Sequence, residues 1–289
     1  MKSFFTVIFC FATFILPAAA QYSPYFVTYD HHMEEPGNLE ITAQTTVGIQ
    51  KHDLPTYWAP LAELEYGVTG WWSTSRYLEG AAQPHDATVF TGFRLENRFK
   101  LLKTEHRINP VLYFEFENIN EASRIQKEVV GHAELSDEPL RDLRGEKARE
   151  LEGKLILSSN AKGWNIAENF IVEKNLTEDE GVEFGYALGI YRPLATIASG
   201  TPCRFCRENL NAGLELYGGL GSTEQFGFSD TAHYIAPAIA WRVTENSTLR
   251  FSPGFGLTSN SARSLLRFSY TYEIPGFGHA VRNMFRGDN

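Results

Sequence analysis

The chain is poor in features that several classes of protein require. It has only three cysteines in 289 residues, and after residue 20 it has no long apolar run without a charge. Because a membrane-spanning helix needs about 20 consecutive apolar residues, we exclude an α-helical membrane protein. Basic residues are also in the minority, with 26 Lys and Arg against 35 Asp and Glu. This acidity gives no support to nucleic-acid binding.

The first 20 residues predict a cleavable secretory signal peptide. Lys2 precedes an apolar run from Phe4 to Leu16, and three alanines occupy positions 18–20. Loss of Lys2 would change the formal net charge from −9 to −10. Export without a spanning helix leaves two architectures, a soluble exported protein or a β-barrel in a bacterial outer membrane.

Alternation of apolar and polar residues predicts twelve β-strands. They fall near 38–50, 58–69, 71–80, 88–101, 110–119, 149–159, 163–174, 182–193, 208–219, 231–243, 248–258 and 264–274. The runs extend over about 9 to 11 residues, which is the span of a tilted membrane strand, whereas strands of soluble proteins average about 5 to 6. The predicted fold class is therefore all-β, a single antiparallel up-and-down transmembrane β-barrel of about twelve strands.

Around this barrel we predict four segments: a signal peptide at 1–20, an N-terminal periplasmic segment at 21–37, the barrel at 38–275 and a C-terminal extension at 276–289. Outer-membrane barrels keep short turns on the periplasmic side. The connection 194–207 is long for that side, unless the strand count is wrong by one. The long segment 120–148 should lie outside, partly helical near 140–151, and fold over or into the mouth.

Three runs of sequence carry a resemblance to a family. They are Tyr29-Asp30-His31-His32-Met33-Glu34-Glu35-Pro36-Gly37, Thr91-Gly92-Phe93-Arg94 and Tyr217-Gly218-Gly219-Leu220-Gly221. With the signal peptide and the alternating strands, the chain resembles a group of uncharacterised porin-like bacterial outer-membrane β-barrel proteins across most of its mature length. The resemblance implies an envelope location and a barrel, and it implies no catalytic residue.

The charged positions of the predicted strands share the face opposite the apolar one. We predict that the following residues line the lumen: Glu63, Glu65, Arg94, Glu96, Arg98, Glu115, Glu117, Lys154, Glu215, Arg250, Arg267 and Glu273. Arg94 and Arg98 should face Glu115 and Glu117 across two antiparallel strands. This pattern fits an internal salt-bridge ladder that fills a narrow barrel, and it equally fits a pore whose charges select solutes.

Other candidate sites are weaker. Cys203 and Cys206 predict a local disulfide, because no second Cys-x-x-Cys motif supplies zinc ligands and no histidine follows for haem attachment. Adjacent His31 and His32 should point in opposite directions in a solvated segment, so no metal site is predicted. His233 near Asp230 could serve an enzyme at the barrel rim, as could His85-Asp86, but no Gly-x-Ser-x-Gly motif accompanies them.

The expected function is a porin-like channel for passive passage of small polar solutes or ions, without a cofactor. The expected partners are outer-membrane lipids, small solutes and the barrel-assembly machinery. Two alternatives remain open, a structural or adhesive envelope barrel with a salt-bridge-filled lumen and an outer-membrane hydrolase acting on lipid or peptide.

Overall fold

The computed structural model of the protein describes residues 22–51, 53–124, 130, 138–195, 203 and 205–286. The predicted signal peptide therefore lies outside the described residues. Twelve antiparallel strands form one closed barrel in which each strand pairs with its neighbours in sequence. The strands are β1 (Leu39–Ile49), β2 (Tyr57–Thr69), β3 (Trp72–Ala82), β4 (Thr88–Lys100), β5 (Asn109–Asn120), β6 (Lys147–Ala161), β7 (Trp164–Asn175), β8 (Glu183–Pro193), β9 (Leu210–Ser222), β10 (His233–Thr244), β11 (Ser247–Gly256) and β12 (Ser264–Ile274).

The predicted fold class is confirmed, because the first and last strands close the sheet. β1 pairs with β12 from Leu39 opposite Ile274 to Ile49 opposite Ser264. Closure removes both edge strands, so no strand is left with a row of unpaired backbone groups. Every backbone group in the wall can then be hydrogen-bonded without water, which is the condition for crossing a bilayer.

Alternation along each strand separates an apolar exterior from a polar interior. On β5, the exterior Phe114 is 54% exposed, whereas Tyr113 and Glu115 on the other face are buried. On β12, Phe268 is 47% exposed and its neighbour Arg267 is buried. Large apolar side chains are thus exposed on the outside of the barrel, the reverse of a water-soluble protein.

The two ends of the barrel differ in their connections. At the end that we call the turn end, Lys162 and Gly163 alone join β6 to β7, and both have positive φ (53° and 80°). A two-residue turn of this kind fits the right-handed twist of the paired strands. The connection between β8 and β9 also lies at the turn end, because the count of twelve strands is correct. The opposite end, the loop end, carries the long connection between β5 and β6.

The predicted helix near 140–151 is wrong over most of its length. Only α1 (Leu140–Leu143) is helical, and β6 begins at Lys147. The physical reason is the ladder to β5, in which residues 147 to 158 pair without interruption with residues 120 to 109. A continuous ladder satisfies more backbone groups than a short surface helix could.

The C-terminal extension forms helix α2 (Phe277–Arg286) at the turn end. The Gly278 N–H donates to the carbonyl oxygen of Gly37 at 2.8 Å, which ties the start of the helix to the chain just before β1. Met284 and Phe285 are 82% and 87% exposed, so the helix does not plug the lumen. Among the described residues, no helix combines the length and apolar character needed to cross a membrane.

Candidate functional site

The inner face of β2 to β7 is lined by paired charges, and we call it the charged wall. Arg94 lies between two carboxylates, with its Nη1 3.0 Å from Glu115 Oε1 and its Nε in an ion pair with Glu79. All three side chains are buried. The predicted pairing of Arg94 with β5 is therefore present, with Glu79 as a second partner on β3.

Arg98 departs from the predicted pairing with β5. Its Nε lies 2.8 Å from Glu96 Oε1, and its guanidinium also forms an ion pair with Glu65 on β2. The side chain reaches β2 across β3, where the inner positions Ser73 and Ser75 are small. Side-chain volume on the intervening strand thus decides the partner of Arg98.

Aromatic side chains separate the charged rows. The Arg94 guanidinium lies 4.6 Å from the centre of the Tyr77 ring, and Lys154 Nζ lies 4.2 Å from the centre of the Tyr113 ring. Lys154 also forms an ion pair with Glu152 at 2.9 Å. Cations held between carboxylates and ring faces are fixed in position, so the charged wall is a rigid surface.

The inner face of β8 to β12 and β1 is different, and we call it the small-residue wall. Its buried positions are mostly small or uncharged: Thr42, Thr46, Ala187, Ala236, Ala238, Ala240, Ser252, Ser269 and Thr271. Two glycines on this wall, Gly189 and Gly213, have no room for a side chain. A Cβ atom at position 189 would lie 2.5 Å from the ring of Tyr25.

The N-terminal segment, residues 22–38, lies inside the barrel. Its residues 22–28 occupy the space that these small residues leave, and its residues 29–34 lie against the charged wall. Glu215 on β9 accepts hydrogen bonds from three consecutive backbone N–H groups, those of Phe26 (3.0 Å), Val27 (2.9 Å) and Thr28 (2.7 Å). Opposite, Asn169 on β7 accepts from the Tyr29 N–H at 2.7 Å and donates to the Tyr29 carbonyl at 2.8 Å. The segment that we expected to lie in the periplasm therefore enters the interior of the barrel from the turn end, and its two ends, at Tyr22 and Gly37, both lie at that end.

The predicted lumen residues all lie on or near this interior. A cavity of about 430 Å³ between the walls and the N-terminal segment is lined by Glu63, Glu65, Arg94, Arg98, Lys154, Arg250, Arg267 and Glu273. The other four, Glu96, Glu115, Glu117 and Glu215, are buried and lie outside the lining of that cavity. Their roles in solute passage stay predictions.

Two histidines of the N-terminal segment lie near the turn end, His31 buried and His32 partly exposed. His31 is buried, with its Nδ1 2.5 Å from Ser158 Oγ, and its ring centre is 4.3 Å from that of His32. The expectation that these rings point in opposite directions is wrong. Burial lowers the pKa of His31. For His32 burial acts in the same direction, but the carboxylate of Asp30, 3.0 Å away, outweighs it and raises the pKa of His32.

At the loop end, the connection between β5 and β6 turns into the barrel. The Ser123 hydroxyl donates to Glu79 Oε2 at 3.0 Å, and Val130 packs in a buried cluster with Tyr57, Tyr217 and Tyr234. The described residues of this connection thus narrow the mouth. The parts at 125–129 and 131–137 lie outside the described residues.

The ring of the rim histidine, His233, contacts two hydroxyl groups. The Nε2 and Nδ1 atoms of His233 lie 2.8 Å from Thr231 Oγ1 and 3.0 Å from the Tyr186 hydroxyl. Asp86, the other rim candidate, accepts the Leu140 N–H at 2.5 Å and so caps the start of α1. Among the described contacts, no carboxylate orients the His233 ring.

Cys203 and Cys206 form a disulfide bond in the connection between β8 and β9, with a Cα–Cα distance of 5.4 Å. Other residues of the interior were not predicted from the sequence. Tyr77, Glu79 and Glu173 follow the alternation of inward and outward residues along their strands, so this alternation alone predicts that they face the interior. Tyr29, whose hydroxyl donates to Glu96 at 3.1 Å, lies outside any strand and had no local signal.

A closed antiparallel barrel with an apolar exterior and a charged, partly occupied interior defines a class, the transmembrane β-barrel. No protein-family profile and no curated protein sequence matches the chain. Among solved structures, it is similar to the COG4313 outer membrane channel from Pseudomonas putida F1, with 12% sequence identity, a TM-score of 0.52, and coverage of 88% of this chain and 100% of that one.

Two further solved structures are less similar. A KdgM porin in complex with disordered oligogalacturonate has 8% identity and a TM-score of 0.48, with 80% of this chain and 98% of that one covered. A NanC porin has 9% identity and a TM-score of 0.49, with 82% and 100% covered. At these identities the similarity concerns the fold alone, and we base the fold comparison on the COG4313 channel.

Proposed function

We propose that the protein is a porin-like channel of a bacterial outer membrane that passes small polar solutes or ions. The observation that carries this proposal is the polar cavity of about 430 Å³ inside a barrel with an apolar exterior. Charged side chains of both signs face the cavity, as in pores that conduct hydrated solutes. The fold shared with the COG4313 channel supports the same function.

The N-terminal segment sets the resting state of this channel. It is held in the interior by hydrogen bonds to Glu215 and Asn169, which water can replace when the segment moves. Aromatic packing adds to these bonds, since the Tyr25 ring lies edge-on against Tyr191, with ring centres 5.0 Å apart. The channel is therefore narrow while the segment is bound, and it widens toward the small-residue wall when the segment leaves.

The charge of the path predicts a weak preference for cations. Carboxylates outnumber cations on the charged wall, where Arg94, Arg98 and Lys154 are all engaged in ion pairs. Because basic groups remain close to the path, a strong selection for one ion is not expected. The predicted signal peptide supports export of the chain, and we propose outer-membrane lipids and the barrel-assembly machinery as partners of the exported barrel.

A structural envelope barrel is the second candidate. It is favoured by the occupation of the interior from both ends, by residues 22–38 and by Ser123 and Val130. In that case the ion pairs of the charged wall would only stabilise the fold. The rim geometry of His233 gives no support to the hydrolase alternative.

Single-channel conductance in planar bilayers distinguishes the two candidates. We expect salt-dependent conductance from the refolded protein, and a larger conductance from a variant without residues 22–34. Lys154→Gln should increase the preference for cations, because Lys154 lines the cavity. A heat-modifiability gel shows that each variant is a folded barrel. If the folded barrel and the shortened variant are both electrically silent, the channel proposal is wrong.

A further inference from the structure

Three glutamates of the charged wall converge more closely than ion pairing requires. Glu115 on β5 lies directly opposite Glu152 on β6, and Glu117 is the next inward residue on β5. One carboxylate oxygen from each of the three lies within 4.8 Å of the other two. All three side chains are buried, with 2%, 0% and 2% of their surfaces exposed. Like charges packed at this distance repel one another unless a cation or a proton lies between them.

Glu117 supplies a second, independent observation. Its side chain is fully buried, and neither of its carboxylate oxygens has a hydrogen-bond partner among the described residues. A buried carboxylate without a partner is strongly unfavourable, so such groups are paired or bind metals. Oε2 of Glu152 also has no hydrogen-bond partner there. The oxygen atoms of Glu117 and Oε2 of Glu152 are therefore placed to accept a cation.

The nearby cations do not fill this position. Arg94 pairs with Glu115 but is shared with Glu79, and Lys154 pairs with Glu152. Neither cation forms an ion pair with Glu117 among the described residues. Glu117 also forms a second group with Glu150 and Glu173, which adds to the negative charge. Glu115, Glu117, Glu150, Glu152 and Glu173 thus bring five carboxylates together on three adjacent strands.

We propose that Glu115, Glu117 and Glu152 bind a calcium ion inside the barrel wall. All the donor atoms are carboxylate oxygens, which suits a hard cation and not zinc or copper. The three oxygen atoms lie within 4.8 Å of one another, which is close enough for all of them to contact one Ca²⁺ at Ca–O distances of about 2.3 to 2.6 Å. Mg²⁺ would need a tighter, regular octahedron. The ion would link β5 to β6, and it would neutralise the negative charge of the three carboxylates that Arg94 and Lys154 do not balance.

The first test is calcium binding to the folded barrel in detergent after treatment with EDTA. Calorimetric titration with CaCl₂ should give one saturable site, and terbium bound in its place should show tyrosine-sensitised luminescence, since Tyr113 is the second residue before Glu115. Glu117→Gln should weaken calcium binding by about tenfold or more, because ligand charge sets the affinity of such sites. Glu65→Gln is the matched control, as Glu65 is buried on the same wall but pairs with Arg98.

The second test uses stability, and it separates calcium binding from sharing of a proton. In EDTA, Glu117→Gln should unfold at the same or a higher temperature than the unmodified barrel, because it removes a buried charge without a partner. In calcium, the unmodified barrel should become the more stable of the two, since only its site binds the ion tightly. The proposal is overturned if calcium does not bind, if Glu117→Gln binds it equally well, or if the order of stability does not reverse. Glu152→Gln repeats the test from β6.

Discussion

The two walls of the barrel solve the problem of filling an interior in different ways. The charged wall fills its half with its own long side chains, such as Arg94 between Glu79 and Glu115. The small-residue wall leaves space, which the N-terminal segment occupies. The ring of Tyr25 packs against Gly189 of this wall, and Glu215 of the wall accepts hydrogen bonds from the backbone of the segment. A wall that fills itself is fixed by the strands, whereas a wall filled by a separate segment can be emptied. The difference suggests that any change in conductance arises beside the small-residue wall.

The largest expected effect comes from removing one cation of the charged wall. Arg94→Gln leaves the buried carboxylates of Glu79 and Glu115 without their guanidinium partner, which should lower the free energy of unfolding by about 3–5 kcal/mol. Arg250→Gln is the matched change on the other wall, where the partners are the neutral Ser269 hydroxyl and the Tyr25 carbonyl. That variant should lose less, about 1.5–3 kcal/mol, because it removes hydrogen bonds of a charged group without leaving a buried carboxylate unpaired. Urea unfolding in lipid vesicles measures both, and equal losses would contradict the comparison.

The next effect concerns the attachment of the N-terminal segment. Glu215→Ala removes the acceptor of three backbone N–H groups and should weaken docking by about 2–3 kcal/mol, since hydrogen bonds to a charged group are the strong ones. Hydrogen exchange at Phe26, Val27 and Thr28 should accelerate, while exchange in β5 should stay unchanged. Protection that persists at all three residues would mean that Glu215 does not hold the segment.

A smaller effect is expected from filling the space under Tyr25. Gly189→Ala places a Cβ atom 2.5 Å from the Tyr25 ring, and overpacking of this kind costs about 1–3 kcal/mol. Tyr25→Ala alone should also weaken docking of the segment. The double variant should lose less docking free energy than the sum of the losses in the two single variants. A double-mutant cycle read by proteolysis of the segment measures the coupling. Additive losses would show that contact between position 189 and the Tyr25 ring does not contribute to docking of the segment.

The smallest effect is the dependence of docking on pH. Burial, with Glu40, Glu273 and Glu65 nearby, raises the pKa of Glu34 to about 8 in the docked segment. A released Glu34 should have a pKa of about 4.3, so docking is favoured by its proton and weakens as the pH rises from there to about 8. Conductance should therefore increase over this range. Glu34→Gln should flatten the increase, and an unchanged profile in that variant would assign it to other groups, such as His32 and Asp30.

Much of the barrel was predictable because alternation is a local property. In the last strand, Phe268, Tyr270 and Tyr272 lie on the apolar outer face and Arg267 lies on the polar inner face. The alternation of these residues in the sequence predicts both faces. The same phase placed Arg94 and Glu115 on the inner face. The helix predicted near 140–151 failed because pairing with β5 extends β6 back to Lys147. The partner of Arg98 was also missed, since it depends on the size of Ser73 and Ser75 on the intervening strand.

The amino-acid sequence by itself determined the strands, their inward and outward faces and the local disulfide at Cys203 and Cys206. These features depend on residues close in the chain or on one repeated period. Only the tertiary structure decided that residues 22–38 lie inside the barrel and that Glu115, Glu117 and Glu152 converge. Both results depend on distances between strands and on the space left by small side chains. Such distances arise only when the barrel closes, so no run of sequence contains them.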